Sequence, residues 1–458
     1  MATQPDRTIP IFSQPEPTED PHIFKIHHPS DDPIYKEIDE LKKEGLIHPL
    51  PFPAPRGGTK ANLTLLDVLG GNADAIKTIT DVHKQIVFHA LGDCGSTRGP
   101  STQNRVTDKL VRDFNESDKA EIPQFNLLLG DIVYSFGEAQ YYYDQFYEPY
   151  RDYPAPILAA AGNHDGVVAP HGTTASLAAF LRNFCANPAH GFGVSPDAAG
   201  LTRTAQIQPG VFFTFEAPFV RIIVLYSNAL EDPGVIADGP GDPPTLGTSQ
   251  LDFLASALKK VQTDRFKGAV LFAHHHPPFT PPHKGSLHGG SPDMLAQMDK
   301  VCADTGVWPH AVLCRHVHNY QRFTRVRKED GTQIPYVSCG NGGHNVTHLS
   351  RKGNPAPRTP QVVPPGKTLK DQVIFENYDD QNYGYLRITV TASQLRIEYH
   401  SASEESDVKT HDDVVTVDIA TRKLTHFNAR YLGAQAEADA VREKHKKQAA
   451  ARKPRTGR

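Results

Sequence analysis

Five short apolar stretches of the chain each end in side chains that can bind metal ions. Each stretch has the length of a β-strand, and the residues after it include Asp, Asn, His or Tyr. The five endings are, in chain order, Gly92-Asp93-Cys94-Gly95, Gly130-Asp131-Ile132-Val133-Tyr134, Gly162-Asn163-His164-Asp165, His274-His275-His276-Pro277-Pro278 and Arg315-His316-Val317-His318-Asn319-Tyr320. Carboxylate, phenolate and amide oxygens, together with imidazole nitrogens, form sites for transition metals. The pattern therefore indicates a metal centre assembled from several strand ends.

Each ending by itself is a weak signal. A Gly-Asp pair after a strand is most often a turn, and Gly162-Asn163-His164 also fits an ordinary Asx turn. Tyr134 alone has the pattern of a core aromatic residue. The presence of all five endings changes this balance, because ligands of open α/β sheets gather just beyond the carboxyl ends of the strands. We therefore expect the five endings to meet in one crevice.

The elements that must position these residues alternate in type. Apolar strand candidates are separated by helical stretches, which is typical of layered α/β structure. The strand candidates are 86–91, 125–129, 157–160, 212–215, 220–226, 269–273 and 311–314. The helical candidates are 101–114, 138–147, 174–184, 249–261 and 292–302. Two further segments, 385–400 and 414–418, alternate apolar and polar residues, as in a sheet with one face toward water.

Composition sets the domain organisation. With 458 residues, of which 38% are hydrophobic and 22% charged, the chain can fold around a large core. The Pro-rich segment 1–84 is predicted to be an N-terminal extension. Residues 85–430 are predicted to form the motif-bearing domain, with a core at 85–345 and a β-rich completion at 346–430. The basic tail 431–458 is predicted to be helical or disordered.

Charge and hydropathy exclude several classes of partner. The net charge of −4 gives no overall basic field for nucleic acid, although the basic tail leaves a weak site for anionic partners as an alternative. No apolar run approaches the ~18 residues that span a bilayer. None of the 5 cysteines forms a CxxC pair, and the amino terminus lacks the pattern of a secretory signal. We therefore expect a cytoplasmic protein without a membrane partner.

The order of the motifs resembles that of the calcineurin-like metallophosphoesterases. Most members of that superfamily begin with Asp-x-His, whereas here the third position is Gly95. Tyr134 follows Asp131 by three residues, which is similar to the pattern of the purple acid phosphatases. Arg315 stands where the family normally has Gly. The resemblance implies a four-layer α/β/β/α sandwich with mixed sheets and the metal site at the carboxyl ends of the strands.

The resemblance also implies two metal ions, Fe(III) and a divalent ion (Fe, Zn or Mn). It assigns Asp93, Tyr134 and His318 to the first ion, Asn163, His275 and His316 to the second, and Asp131 to both as a bridge. Among the three consecutive histidines, the family's His-x-Pro spacing selects His275. His274 is then expected on the opposite side of the strand and His276 at the pocket rim.

Three further residues receive roles from the same resemblance. His164, beside the Asn ligand, is expected to donate a proton to the leaving oxygen, with a role in orienting the ligands as the alternative. Asp165 is expected to orient His164. His288 resembles the family's substrate-contacting histidine, and His283 is the alternative.

The leading hypothesis for function is hydrolysis of phosphate monoesters of small molecules or phosphoproteins. Two ions about 3.5–4 Å apart can hold the attacking and leaving oxygens while water attacks phosphorus in line. Hydrolysis of phosphodiesters, such as cyclic nucleotides, is the nearest alternative, because the same ions serve both reactions. A metal-binding regulatory protein without activity is the second alternative.

Overall fold

The computed structural model of the protein describes most of the chain between residues 49 and 427. The described residues are 40–41, 44, 49–97, 99–134, 136–168, 175–185, 195–199, 201, 207–228, 230, 233–239, 245–281, 288–349, 362–363, 370–402 and 412–427. The basic tail 431–458 and the alternative histidine His283 lie outside them.

Sixteen strands are present among the described residues. They are β1 (Asn62–Thr64), β2 (Gln85–Leu91), β3 (Asn126–Leu128), β4 (Ile157–Ala159), β5 (Phe213–Ala217), β6 (Val220–Val224), β7 (Ala269–Ala273), β8 (Ala311–Cys314), β9 (Tyr320–Val326), β10 (Gln333–Cys339), β11 (Val362–Val363), β12 (Gln372–Asp379), β13 (Gly384–Thr391), β14 (Gln394–Ser401), β15 (Asp413–Asp418) and β16 (Lys423–Phe427). They form a nine-stranded sheet, β1-β5-β6-β7-β8-β10-β9-β12-β11, and a seven-stranded sheet, β16-β15-β14-β13-β2-β3-β4.

Seven α-helices accompany these strands in the described part of the chain. They are α1 (Leu65–Val68), α2 (Ala73–Lys77), α3 (Ser101–Arg112), α4 (Asn163–Gly166), α5 (Ala178–Phe184), α6 (Ser249–Thr263) and α7 (Pro292–Thr305). Helix α6 buries Phe253, Leu254, Ala257, Leu258 and Val261, whose three- and four-residue spacing forms one apolar face. The helix predicted at 138–147 is instead a 3₁₀ turn (Ala139–Tyr141) followed by a π turn (Tyr143–Tyr147).

Both sheets are mixed, and each contributes parallel strands to the same edge. Strands β2, β3 and β4 are parallel in the seven-stranded sheet. Strands β6, β7 and β8 are parallel in the nine-stranded sheet. Every residue of β7 and β8 is buried, as expected for central parallel strands covered on both faces. The carboxyl ends of these strands carry the five motifs.

Aromatic and ionic contacts join the two sheets face to face. Tyr320 of β9 stacks on Tyr399 of β14, with ring centroids 4.0 Å apart. Arg322 of β9 forms a buried ion pair with Asp413 of β15, with Nε and Oδ2 2.7 Å apart. The expected four-layer sandwich with mixed sheets is therefore confirmed.

Part of the segment predicted to be an extension belongs to this fold. Strand β1 pairs in parallel with β5, so residues 62–64 form one edge of the nine-stranded sheet. Arg56 donates hydrogen bonds to the carbonyl groups of Cys185, Ile207 and Gln208. The boundary expected at residue 84 therefore separates residues that are packed together. No helix in the described ranges is long and apolar enough to cross a bilayer.

Candidate metal centre

Four donor atoms lie close together at the carboxyl ends of three parallel strands, two from one sheet and one from the other. The phenol oxygen of Tyr134 lies 3.1 Å from Asp93 Oδ1, 3.3 Å from Asp131 Oδ2 and 3.3 Å from His318 Nε2. His318 Nε2 lies 3.6 Å from Asp93 Oδ1. We call these four residues the first donor set.

The spacing of the first donor set fits a single metal ion. Ligand atoms bound about 2.0–2.2 Å from one ion lie roughly 3–3.6 Å from each other in tetrahedral or octahedral geometry. His318 Nδ1 lies 2.5 Å from Asn345 Oδ1, an acceptor that places the ring proton on Nδ1. The lone pair of Nε2 is then directed toward the other three donors, as in other metal-binding histidines.

The charges of this set also fit a bound cation. Burial raises the pKa of Asp93 to about 6, although the nearby Arg315 charge opposes this shift. Burial likewise raises the pKa of Asp131 well above its ordinary value. The pKa of the Tyr134 phenol rises because burial and both carboxylates disfavour the phenolate. A metal ion reverses these preferences, because positive charge favours the ionised form of all three groups.

The backbone at the strand ends is held in an unusual conformation. Asp93, Asp131, His316 and His318 have φ values of 49°, 43°, 75° and 42°, which lie in the left-handed region. This region is disfavoured for residues with a Cβ atom, and such strain is concentrated at functional sites. Four of the expected ligands share it. The surrounding structure thus directs these side chains into the centre at the expense of local backbone stability.

The close packing around Gly95 explains why this chain lacks the histidine of the Asp-x-His pattern. A Cβ atom on Gly95 would lie 2.4 Å from the carbonyl oxygen of Ile132 and 2.7 Å from Gln145 Oε1. A histidine therefore does not fit there without movement of the neighbouring loop. The Tyr134 phenol approaches Asp93 from the next strand end instead, and the Tyr134 ring is stacked on His344, with centroids 3.7 Å apart.

A second group of donors lies beside the first. His275 Nε2 lies 3.3 Å from Asp131 Oδ2 and 3.0 Å from His316 Nδ1. Asn163 is fully buried at the start of α4, the helix that follows β4. We call His275, His316 and Asp131, together with Asn163, which the resemblance assigns to the same ion, the second donor set. Asp131 belongs to both sets through its position between Tyr134 and His275.

The three consecutive histidines have different environments. His276 Nε2 lies 3.0 Å from the carbonyl oxygen of Leu230, and its Nδ1 lies 2.8 Å from Ser227 Oγ. Both ring nitrogens of His276 are thus engaged by protein groups, which favours His275 as the ligand, although the donor atoms of both residues lie close to His316. His274 bonds through Nδ1 to the His276 carbonyl. The sequence predicted His276 at the pocket rim. This prediction is wrong, because His276 is completely buried.

Arg315 is fully buried next to both carboxylates. Its Nη1 lies 3.6 Å from Asp93 Oδ1, and its Nη2 lies 3.9 Å from Asp131 Oδ1. Its Nε lies 2.7 Å from His275 Nδ1. The Arg315 side chain fits here because residue 92 is a glycine. A Cβ atom on residue 92 would lie 2.1 Å from both Cδ and Nη1 of Arg315. Arg315 is thus a permanent cation inside the centre.

The three residues expected to take part in catalysis lie close to the donor sets. The ring centroid of His164 is 4.3 Å from that of Tyr134, and its backbone N–H donates to Asp131 Oδ1 over 2.9 Å. His288 is buried, with Nδ1 3.1 Å from His316 Nε2. The hydrogen bonds of the Asp165 carboxylate differ from expectation. Among the described residues they come from backbone N–H groups, including Gly162 at 2.8 Å and Ile132 at 3.0 Å, and not from the His164 ring.

Asp165 therefore stabilises the turn that carries Asn163 and His164. Its oxygens bring the loops after β3 and β4 together, because each loop donates backbone N–H groups to the same carboxylate. Burial raises the pKa of Asp165 to about 7, while these backbone hydrogen bonds oppose the shift.

Sequence reasoning missed three residues of the centre. His344 stacks on Tyr134, Asn345 bonds to His318, and the Gln145 amide bonds to the backbone of Tyr134. The sequence contains a signal for His344 and Asn345. Strand β10 ends at Cys339 and is followed by Gly340-Asn341-Gly342-Gly343-His344-Asn345, which repeats the pattern of the other strand ends.

Comparisons with known proteins place the chain in a family. Residues 75–320 match the family described as calcineurin-like phosphoesterase. A comparison with curated proteins found no match. One similar solved structure is GAP50, the anchor in the inner membrane complex of Plasmodium, with a TM-score of 0.42 and 12% identity, covering 71% of this chain and 88% of that one. Another is PhoD, with a TM-score of 0.43 and 13% identity, covering 81% of this chain and 78% of that one.

Proposed function

The chain belongs to the calcineurin-like phosphoesterase family, and from this premise we propose that it hydrolyses phosphate monoesters at a centre for two metal ions. Family membership makes it a metal-dependent hydrolase of phosphate esters. The preference for monoesters, the number of ions and their identity are the proposed parts. The proposed substrates are phosphorylated small molecules or phosphoproteins.

The observation that carries the proposal is the convergence of the first donor set. The phenol oxygen of Tyr134 lies 3.1–3.3 Å from a donor atom of each of the other three residues, and His318 Nε2 lies 3.6 Å from Asp93 Oδ1. All four side chains are buried. Without a cation, burial leaves these acidic groups with raised pKa values. A bound ion resolves this conflict, because it supplies the charge that ionised oxygens require.

In the proposed hydrolysis, each residue of the centre has its own role. Bound metal ions supply an activated water and positive charge beside the phosphoryl oxygens. Asp131 connects the two donor sets and fixes their separation. His164, whose ring lies against Tyr134, donates a proton to the leaving oxygen. His288, whose Nδ1 lies 3.1 Å from His316 Nε2, binds a phosphoryl oxygen.

Tyr134 supports the purple acid phosphatase type of centre, and with it the monoester preference and iron. Carboxylate and phenolate oxygens favour hard trivalent iron, whereas the imidazole and amide groups of the second donor set accept a divalent ion. We therefore propose Fe(III) in the first donor set and Fe, Zn or Mn as the divalent ion in the second.

Rates on matched esters test this function. Metal-loaded protein should hydrolyse 4-nitrophenyl phosphate with a kcat/KM at least about tenfold above that for bis(4-nitrophenyl) phosphate. A reversed ratio would make the protein a phosphodiesterase. Absence of turnover of either ester by protein that contains metal would support the regulatory alternative.

A further inference from the structure

The phenol ring of Tyr134 lies against two histidine rings. The imidazole of His344 is nearly parallel to it, with ring centroids 3.7 Å apart and an interplanar angle of 10°. The imidazole of His164 is tilted by 44°, with ring centroids 4.3 Å apart. Rotation of the phenol ring about its Cβ–Cγ bond would drive its edge into the parallel imidazole, because protein interiors leave little free space. His344 therefore fixes the plane of the Tyr134 ring.

His344 is itself held on the backbone of the loop that follows β2. Its N–H donates to the carbonyl oxygen of Asp93 over 2.9 Å. Its Nδ1 lies 3.0 Å from the carbonyl oxygen of Gly95, and Nδ1 is the donor because a carbonyl oxygen only accepts. The residue is buried. The imidazole thus cannot leave the Tyr134 ring unless these two hydrogen bonds break.

Two glycines allow the chain after β10 to approach this closely. A Cβ atom on Gly342 would lie 2.4 Å from a carbonyl oxygen of the loop after β2, and a Cβ atom on Gly343 would lie 2.8 Å from another. The next residue after His344 is Asn345, whose Oδ1 lies 2.5 Å from His318 Nδ1. Two consecutive side chains of this segment therefore contact two different members of the first donor set.

The plane of the phenol ring matters for an ion that the Tyr134 oxygen binds. Groups that contact a metal ligand orient that ligand and tune the metal. A phenolate shares electron density with Fe(III) through an oxygen orbital perpendicular to its ring, so the plane of the ring determines how far the orbitals overlap. We propose that His344 is a positioning residue of the first donor set, which holds the Tyr134 ring in one plane and thereby sets the strength of the iron–phenolate bond. This inference rests on the iron site of the proposed function.

Two variants separate the ring of His344 from its hydrogen bond. His344→Phe keeps an aromatic ring but loses the donor to Gly95, whereas His344→Asn keeps a side-chain N–H donor but loses the ring. Metal-free full-length protein is loaded with Fe²⁺ in air, and its visible absorption per iron is recorded. A chelator is then added, and the loss of the band is followed with time, because this band reports only the iron bound to Tyr134.

We expect the ring and not the hydrogen bond to matter. His344→Phe should keep the band of the wild type and its rate of loss. His344→Asn should have a weaker and shifted band, and its colour should disappear about 10–100-fold faster, the usual effect of losing a group that orients a metal ligand. The opposite result, with a changed band in the phenylalanine variant and a wild-type band in the asparagine variant, would overturn the proposal. Two unchanged spectra would overturn it as well.

His348→Asn is the matched control. His348 follows β10 in the same segment, its side chain is 59% exposed, and its Nδ1 bonds to the carbonyl oxygen of Asp380. The band and its rate of loss should equal those of the wild type. A change as large as that of His344→Asn would show that any substitution in this segment disturbs the iron, and it would overturn the specific role of His344.

The remaining outcomes separate this proposal from the proposed function. If His344→Asn fails to fold, as measured by circular dichroism, His344→Phe decides alone, because a wild-type band supports the proposal and a changed band contradicts it. Absence of a visible band in the iron-loaded wild type would overturn both the role of His344 and the iron assignment. Coloured wild-type protein that hydrolyses neither nitrophenyl ester would overturn the hydrolase and leave the role of His344 intact.

Discussion

Gln145 holds the backbone of Tyr134 with both ends of its side-chain amide. The Tyr134 N–H donates to Gln145 Oε1 over 3.0 Å, and Gln145 Nε2 donates to the Tyr134 carbonyl oxygen over 2.8 Å. Both residues are buried, so these bonds satisfy backbone groups that neither water nor a neighbouring strand could pair. The phenol oxygen of Tyr134 is thereby fixed beside Asp93, although Tyr134 lies in a loop.

Tyr134→Phe should remove the colour of the iron-loaded protein. Protein purified in air after growth with iron should be pink or violet, because a phenolate bound to Fe(III) absorbs visible light by charge transfer. The phenylalanine variant has no phenolate and should be colourless. The absorption spectrum, read together with iron content, provides the measurement.

Tyr142→Phe is the matched control for this colour. Tyr142 is a fully buried tyrosine whose hydroxyl has no hydrogen-bond partner in the described part of the chain. Its variant should keep the colour. A colourless wild-type protein holding Mn or Zn after iron-replete growth would contradict the iron assignment but not hydrolysis.

Asp131→Ala should abolish hydrolysis and lower the occupancy of both metal sites. One Asp131 oxygen lies 3.3 Å from both the Tyr134 hydroxyl and His275 Nε2, so its loss affects both donor sets. Asn163→Ala should deplete mainly the second ion. Metal content per chain and kcat, which should fall by at least about 10³ in Asp131→Ala, provide the measurements. Full occupancy in both variants would refute this division of the ligands.

Much of the fold could be predicted because its central strands are unusually simple. Strands β7 and β8 match the expected ranges 269–273 and 311–314, since each is a continuous apolar run buried on both faces. The helix predicted at 138–147 is wrong. Its residues Asp144, Gln145, Phe146 and Tyr147 are all buried, so it lacks the exposed face of a regular surface helix and forms two short turns.

The types of residue at the centre could be predicted from strand ends, but their contacts could not. Arg315 can occupy its position because Gly92 has no Cβ atom, and Gly92 follows a strand of the other sheet that is distant in sequence. The role of Asp165 depends on backbone N–H groups from two loops, which no side-chain pattern reveals. Only the packing of the two sheets against each other creates these relationships.

His310→Gln should make the stability of the protein less sensitive to acid. Burial and the nearby Arg422 charge lower the pKa of His310 to about 4. The ordinary value is 6.5, so between pH 6.5 and 4 the unfolded chain binds a proton that the native protein does not. The free energy of unfolding therefore falls as the pH falls through this window. Above pH 6.5 the titration of His310 does not affect it.

Glutamine can replace the hydrogen bonds of the His310 ring with the backbone groups of Val270 and Ile419, and it does not titrate. The imidazole accepts from the Val270 N–H and bonds to the Ile419 carbonyl oxygen. Urea unfolding at pH 7 and pH 4.5 should show that the variant loses about 2 kcal/mol less than the wild type on acidification. Equal losses in the two proteins would show that His310 does not contribute to acid sensitivity.

His164→Ala should lower kcat by roughly 10²–10⁴, the usual range for a positioned general acid, while metal content stays nearly unchanged. The His164 ring lies against Tyr134, and it is the backbone N–H of His164 that bonds to Asp131, so removal of the ring leaves this support of the bridging carboxylate in place. The loss should be small for 4-nitrophenyl phosphate, because nitrophenolate departs without a proton. It should be large for alkyl phosphates, because an alkoxide must be protonated as it leaves. Equal losses on aryl and alkyl esters would show that His164 binds phosphate or supports the ligands and does not donate the proton.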